Sequence, residues 1–408
     1  YRNRCSTGRR CDRNGGTGSR DDSSLGHVGC RLGMPTRLWR SSDHIDRLDK
    51  PGVRKASSVI PSSRSIRSIG YVPHGLEMER PFDRRRFPRY AAMRGLVFDI
   101  VSGWEDHDII VLSPRADVTR WANTPPDRKV IFDLPDSFLD EGRGLKRSAR
   151  GLAKWATGEI SRPVGSYLRA VERLLRRADA VVCSTEEQAA KLGHHNRNVH
   201  PILDLHDELE FRAPRFRLSD RLDIVWEGLT STLSAMGPVL PALRTLAREQ
   251  EVRLHLVTDL SSPRFMNRFL VRQTEDLVAD WGIDVRLYQW SIDALTEVAD
   301  RCDIAIVPVD LKDPMASGKP ENRMRIFWRL GLPVVASANP ANVRAASLAG
   351  LQDQVLCSTT DDWRRALESL QACPEDRFAL ASAGQTAALT VYSEESLAQR
   401  WDRLFETL

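Results

Sequence analysis

Several absences narrow the class of this 408-residue chain. No apolar run reaches the roughly 20 residues of a membrane span. The N-terminus carries no apolar h-region, so no secretory leader is expected. Seven cysteines are scattered without a CxxC pair. Cys5, Cys11 and Cys30 match no zinc spacing, and there is no HExxH. Cys183 and Cys302 lie inside apolar strand-like runs, where a buried free thiol is the ordinary state, as expected in a reducing cytoplasm. The GxGxxG fingerprint that brings a backbone up to a dinucleotide pyrophosphate is missing, and so is the GxxxxGK[ST] loop of P-loop phosphoryl transfer. A formal net charge of +5 is mild for this length and does not argue for nucleic acid.

What is present reads as globular and α/β. Hydrophobic residues make up 41% of the chain and charged residues 28%, and the length suggests two domains. Residues 1–66, which open on YRNRCSTGRRCDRNGGTGSRDDSSLG, have no apolar period and should form a disordered or atypical segment. From RSIGYVPHG (67–75) onward, short apolar runs alternate with helical stretches, the pattern of parallel strands joined by crossovers. The first series runs through LVFDIV (96–101), DIIVLS (108–113), KVIFDLPD (129–136), AVVCST (180–185) and NVHPILDL (198–205). A polar stretch with Arg and Pro, 206–220, reads as a linker. The alternation restarts at LDIVWEGL (222–229) and continues through VRLHLVTD (252–259), a long helix over 264–280, VRLYQW (285–290) and CDIAIVPV (302–309), ending in a helical tail. The expected architecture is two facing doubly wound domains, 67–205 and 221–408, with ligands at the carboxyl ends of strands and in the cleft between domains.

Within that frame, Asp133 and Asp136 in DLPD stand three apart after a strand. They could serve as a base or bind a metal, although an Asp in that place more often caps the next turn. The stretch SGKPENRMRIFWRLGLPVVAS (317–337) places Lys319, Glu321, Asn322 and Arg323 at the mouth of a helix. Such a helix start offers free N–H groups and a partial positive charge.

CDIAIVPV, the polar loop and the 317–337 stretch together resemble the C-terminal domain of GT-B-fold glycosyltransferases, particularly the large retaining family of bacterial sugar transferases (group 1, or family 4-like). The matching residues are Pro308, Asn322, Arg323, Gly331, Pro333, Val334 and Val335. ADAVVCSTEEQ (178–188) resembles the last strand and helix of that family's N-terminal domain. The resemblance implies a nucleotide-sugar donor as substrate, no resident cofactor, and transfer to a glycan, lipid or small-molecule acceptor.

On that reading Lys319 and Arg323 hold the leaving diphosphate without a required metal. Glu321 or Asn322 would hydrogen-bond sugar hydroxyls, and Gly228 lies on the donor side. In the first domain His74, in the turn after the first strand, is the candidate base. Arg115 and Asp117 follow a strand in the same way and could face the cleft. One position departs from the family: a Glu that commonly binds ribose, five residues before the glycine, is Ile326 here. Either Glu321 substitutes, or nucleotide binding differs, or activity is lost. A nucleotide-sugar epimerase of the same fold and a non-catalytic binding protein are the competing readings. Residues 143–177 are basic, with Leu145, Leu152 and Trp155 interleaved. They could lie on an anionic membrane at the inner face of the cell or form a solvated helical face.

Overall fold

A computed structural model describes residues 68–135, 139, 145–263 and 271–408. The expected N-terminal segment 1–66 and the candidate Asp136 lie outside the described residues. Two six-stranded sheets, each wholly parallel, account for all but one pair of the strands described.

The first sheet comprises β1 (Ile69–Val72), β2 (Asp99–Ile100), β3 (Ile109–Leu112), β4 (Lys129–Asp133), β5 (Ala180–Cys183) and β6 (Val199–Pro201), in the order β2-β1-β3-β4-β5-β6. Its strands are apolar on both faces because helices cover both. Val111, Ile131 and Val182 face one way with Tyr71, towards Phe87 and Tyr90. Ile110, Leu112, Phe132 and Val181 face the other way, onto Val118, Trp121 and Leu174.

The second sheet follows at β7 (Arg221–Glu227) and β8 (Glu251–Thr258). A small antiparallel pair comes next, β9 (Ser261–Pro263) with β10 (Val271–Gln273). The sheet then resumes with β11 (Asp284–Gln289), β12 (Ile304–Val307), β13 (Val334–Ser337) and β14 (Leu356–Cys357). Its order is β11-β8-β7-β12-β13-β14. Each sheet reverses its winding once, between β1 and β3 in the first and between β7 and β12 in the second. Crevices open at the strand carboxyl ends of such switch points.

Two expectations need correction. The long helix over 264–280 is instead the β9–β10 pair and a short helix, Thr274–Val278, where described. Val271, Arg272 and Gln273 are exposed, so no apolar face fixes a helix there. The tail, grouped in sequence with the second half, also sends its last helix, Glu394–Glu406, back to the first. Trp401 stacks on Tyr90 at 5.6 Å and meets Phe87 at 6.0 Å. Arg94 grips Asp402 at 2.6 Å and Glu395 at 2.9 Å.

The segment between the halves has no regular element from Ile202 to Asp220, but both halves hold it down. Arg84 and Arg85 pair with Glu208, and Arg86 reaches Asp204 at 2.8 Å. From the second half, Arg325 donates to the Asp204 carbonyl at 3.0 Å and Arg329 donates to that of Leu209. The described residues form one compact unit.

Candidate functional site

The first switch point brings His74 and Arg115 together. His74 follows β1 in a turn shaped by Asp83, which is 1% exposed. Asp83 accepts from the Tyr71 hydroxyl at 2.7 Å, the His74 N–H at 2.8 Å and the Gly75 N–H at 3.0 Å. The His74 ring lies 5.6 Å from Phe82, and its Nδ1 is buried without a partner. Burial lowers its pKa from the ordinary histidine value. Asp83 opposes that shift, while Arg115 and Arg80 add to it. The imidazole is therefore neutral at neutral pH, the form that accepts a proton. Arg115, after β3, is exposed, and its side chain makes no hydrogen bond or ion pair among the described residues.

The carboxylates nearby are committed to structure. Asp133 is fully buried, and both of its oxygens accept from Arg86, at 2.7 to 3.0 Å. Burial pushes its pKa up, against the pull of Arg86. It anchors the guanidinium that also holds Asp204, and it offers no oxygen to solvent. Asp117 caps the Val118–Trp121 helix. It accepts from the N–H groups of Thr119 at 2.9 Å, Arg120 at 3.3 Å and Ser161 at 2.7 Å. Both oxygens are thus occupied, and the cleft role expected for Asp117 is not what this geometry presents.

The second switch point brings Arg323 onto Gly228, and the loop that leads into the Arg323 helix carries Lys319. Gly228 follows β7, and a Cβ there would meet Arg323 Nη2 and Trp226 at 2.8 Å. The missing side chain is what lets Arg323 lie across this turn. Arg323 also reaches Thr232 at 3.3 Å, Glu227 at 3.9 Å and the Trp226 ring at 5.6 Å. Its helix, Asn322–Arg329, begins without a side-chain cap.

Lys319 is placed by the loop before it. The Asn339 amide, just past β13, donates to the carbonyls of Ala316 at 3.3 Å and Lys319 at 2.9 Å. From the first half, Gln188 donates to the Gly318 carbonyl at 2.9 Å and to that of Pro135 at 2.6 Å. The Lys319 ammonium has no partner among the described residues. Asn322 is half-buried and accepts from Arg325 at 3.1 Å. Glu321 faces the interior, against the expectation that it meets a sugar. It is 3% exposed, accepts from the Tyr392 hydroxyl at 3.2 Å and has its second oxygen unpartnered. Burial raises its pKa, opposed by Arg325 and Arg344. Ile326 sits in the apolar core.

Reading the sequence missed Asp83, Gln188 and Asn339, the residues that shape the two loops. Asp83 leaves a trace as the lone acid within RPFDRRRFPR (80–89). Nothing local marks the other two. Among the described residues no group of three or more His, Cys, Asp or Glu side chains is placed to hold a metal ion.

Two parallel doubly wound sheets with switch points of this kind recur in solved structures. Anabaena HepE in complex with UDP matches at a TM-score of 0.54 and 12% identity, over 84% of this chain and 100% of that one. The chain has the GT-B fold. HepE with UDP and glucose matches at a TM-score of 0.53. TarM matches at 0.50 with 10% identity over 73% of this chain, which spans 54% of TarM's length. No family model and no curated protein matches the GT-B chain in sequence.

Proposed function

We propose that this protein transfers a sugar from a nucleotide-sugar donor to an acceptor hydroxyl. The observation that carries the reading is Arg323 lying across the Gly228 turn at a switch point of a GT-B fold. Lys319 and an uncapped helix start stand on the same loop. A diphosphate placed there meets two cations and unbonded N–H groups, which stabilise the charge that builds as the glycosidic bond to it breaks. These cations supply that stabilisation without a resident metal or cofactor. On the opposite rim neutral His74 takes the acceptor proton. The UDP held by HepE is the kind of donor fragment this arrangement suits.

The test is a panel of UDP-, GDP- and ADP-sugars. Slow release of free nucleoside diphosphate is the expected outcome. Conversion to another sugar nucleotide would instead identify an epimerase, and binding without turnover a non-catalytic protein. Lys319→Ala and Arg323→Ala are each expected to weaken nucleoside diphosphate binding by about tenfold to hundredfold, the worth of one charge-assisted contact. Thermal stability should barely move for Lys319→Ala, because an unpaired ammonium contributes little to folding. Unchanged binding in both variants would remove the donor site from this loop.

A further inference from the structure

A second basic site lies on the first half, outside the residues already described. A groove of about 640 Å³ opens between the Val118–Trp121 helix and the Tyr167–Arg177 helix, with Arg162, Arg169 and Arg173 in its lining. All three arginines are exposed. None has a side-chain hydrogen bond or ion pair among the described residues, and no described acid lines the groove. The other arginines of that helix are committed. Arg176 pairs with Glu172 at 3.7 Å, and Arg177 spans Asp179 and three backbone carbonyls. Asp117 and Glu172 each adjoin a lining residue in sequence, but Asp117 has its oxygens on N–H groups and Glu172 faces Arg176. Arg169 and Arg173 stand four apart on one helical face, where like charges repel and weaken the helix. The fold thus concentrates three uncompensated guanidiniums in a concavity. Guanidinium forks match phosphate oxygens in geometry and charge.

We propose that this groove is a subsite for a phosphate or diphosphate group carried by the acceptor. The proposal deepens the transferase reading and rests on it for the word acceptor. The topology supports the placement. The Tyr167–Arg177 helix leads into β5, so its first turns stand at the strand carboxyl ends. That is the rim of the sheet that carries His74 and the Arg115 loop. An acceptor anchored by its phosphate in the groove can extend its hydroxyl along this rim.

The experiment uses the full chain saturated with UDP, so that the second-half site is filled, and titrates pyrophosphate by calorimetry. The expected result is saturable binding that falls by at least about tenfold in Arg169→Gln/Arg173→Gln, with UDP binding and the melting temperature of that variant unchanged. Glucose 1-phosphate and phosphatidylglycerol vesicles then serve as probes of source. Arginine-dependent binding of the first points to a soluble sugar phosphate, and of the second to a phospholipid-borne group. Either supports the subsite. Absence of pyrophosphate binding by the parent protein, or equal binding by the double variant, overturns it. Failure of the parent to bind UDP, GDP and ADP alike, with groove binding retained, would refute the transferase reading instead, so the two failures are distinguishable.

Discussion

His74 shows how a single residue can be placed by reading and yet be defined by its neighbours. Its position after the first strand was legible, because PHG is a turn signal behind an apolar run. That the ring would be neutral was not, because the cause is burial with the Arg115 charge beside it. A prediction follows at this scale. A base must be unprotonated, so turnover falls on the acid side as His74 takes up a proton. Arg115 helps to hold that pKa below the ordinary histidine value. Arg115→Ala should therefore shift the acid limb of the kcat/KM profile to higher pH. Stability should stay within about 0.5 kcal/mol, since the side chain is exposed and unpaired. An acid limb that stays in place would remove His74 from the role of base. Glu321 and Asp133 teach the opposite lesson. Both were singled out for their charge, and both are buried against partners from distant sequence, Tyr392 and Arg86. No local pattern reveals such a partner.

At the scale of elements, strands and helices with strong periodicity were legible. AVVC, IAIV and VVAS are β5, β12 and β13, and Ser166, Thr185 and Ser291 cap the helices that begin at Tyr167, Glu186 and Ile292. The 264–280 stretch misled because its apolar residues suit several structures and only tertiary contacts choose among them. Gly331 is the element-scale residue whose type the backbone requires. It follows the Asn322–Arg329 helix at φ 73°, with its N–H on the Trp328 carbonyl at 3.1 Å and that of Leu332 on Phe327 at 3.0 Å. These two bonds make a Schellman cap. A Cβ there would lie 2.5 Å from the Arg212 carbonyl of the inter-half strap. Gly331→Val should therefore cost about 1–3 kcal/mol in backbone strain and more from that clash. A urea-unfolding midpoint close to that of the parent would contradict the cap.

For the whole molecule, the alternation of strands and helices announced two winding units, but not how they are joined. The joint is made of arginines from both halves, Arg84, Arg85 and Arg86 with Arg325 and Arg329, and of a last helix that crosses back. Trp401 is fully buried against Phe87 and Tyr90. Trp401→Ala should destabilise the protein by about 3–5 kcal/mol. Amide exchange should rise first in residues 69–94, which lie in the first half, rather than around the mutated helix alone. Protection lost only in the tail would mean that the crossing helix is an ornament. The same crossing sets a timetable for biosynthesis. A nascent chain leaves the ribosome from its N-terminal side, and domains ordinarily fold as they emerge. Here Phe87 and Tyr90 lack the rings of Trp401 and Phe405 until residues 394–406 have been translated, more than 300 residues later. The aromatic face that the first half presents to its last helix is closed only when the second half has been made.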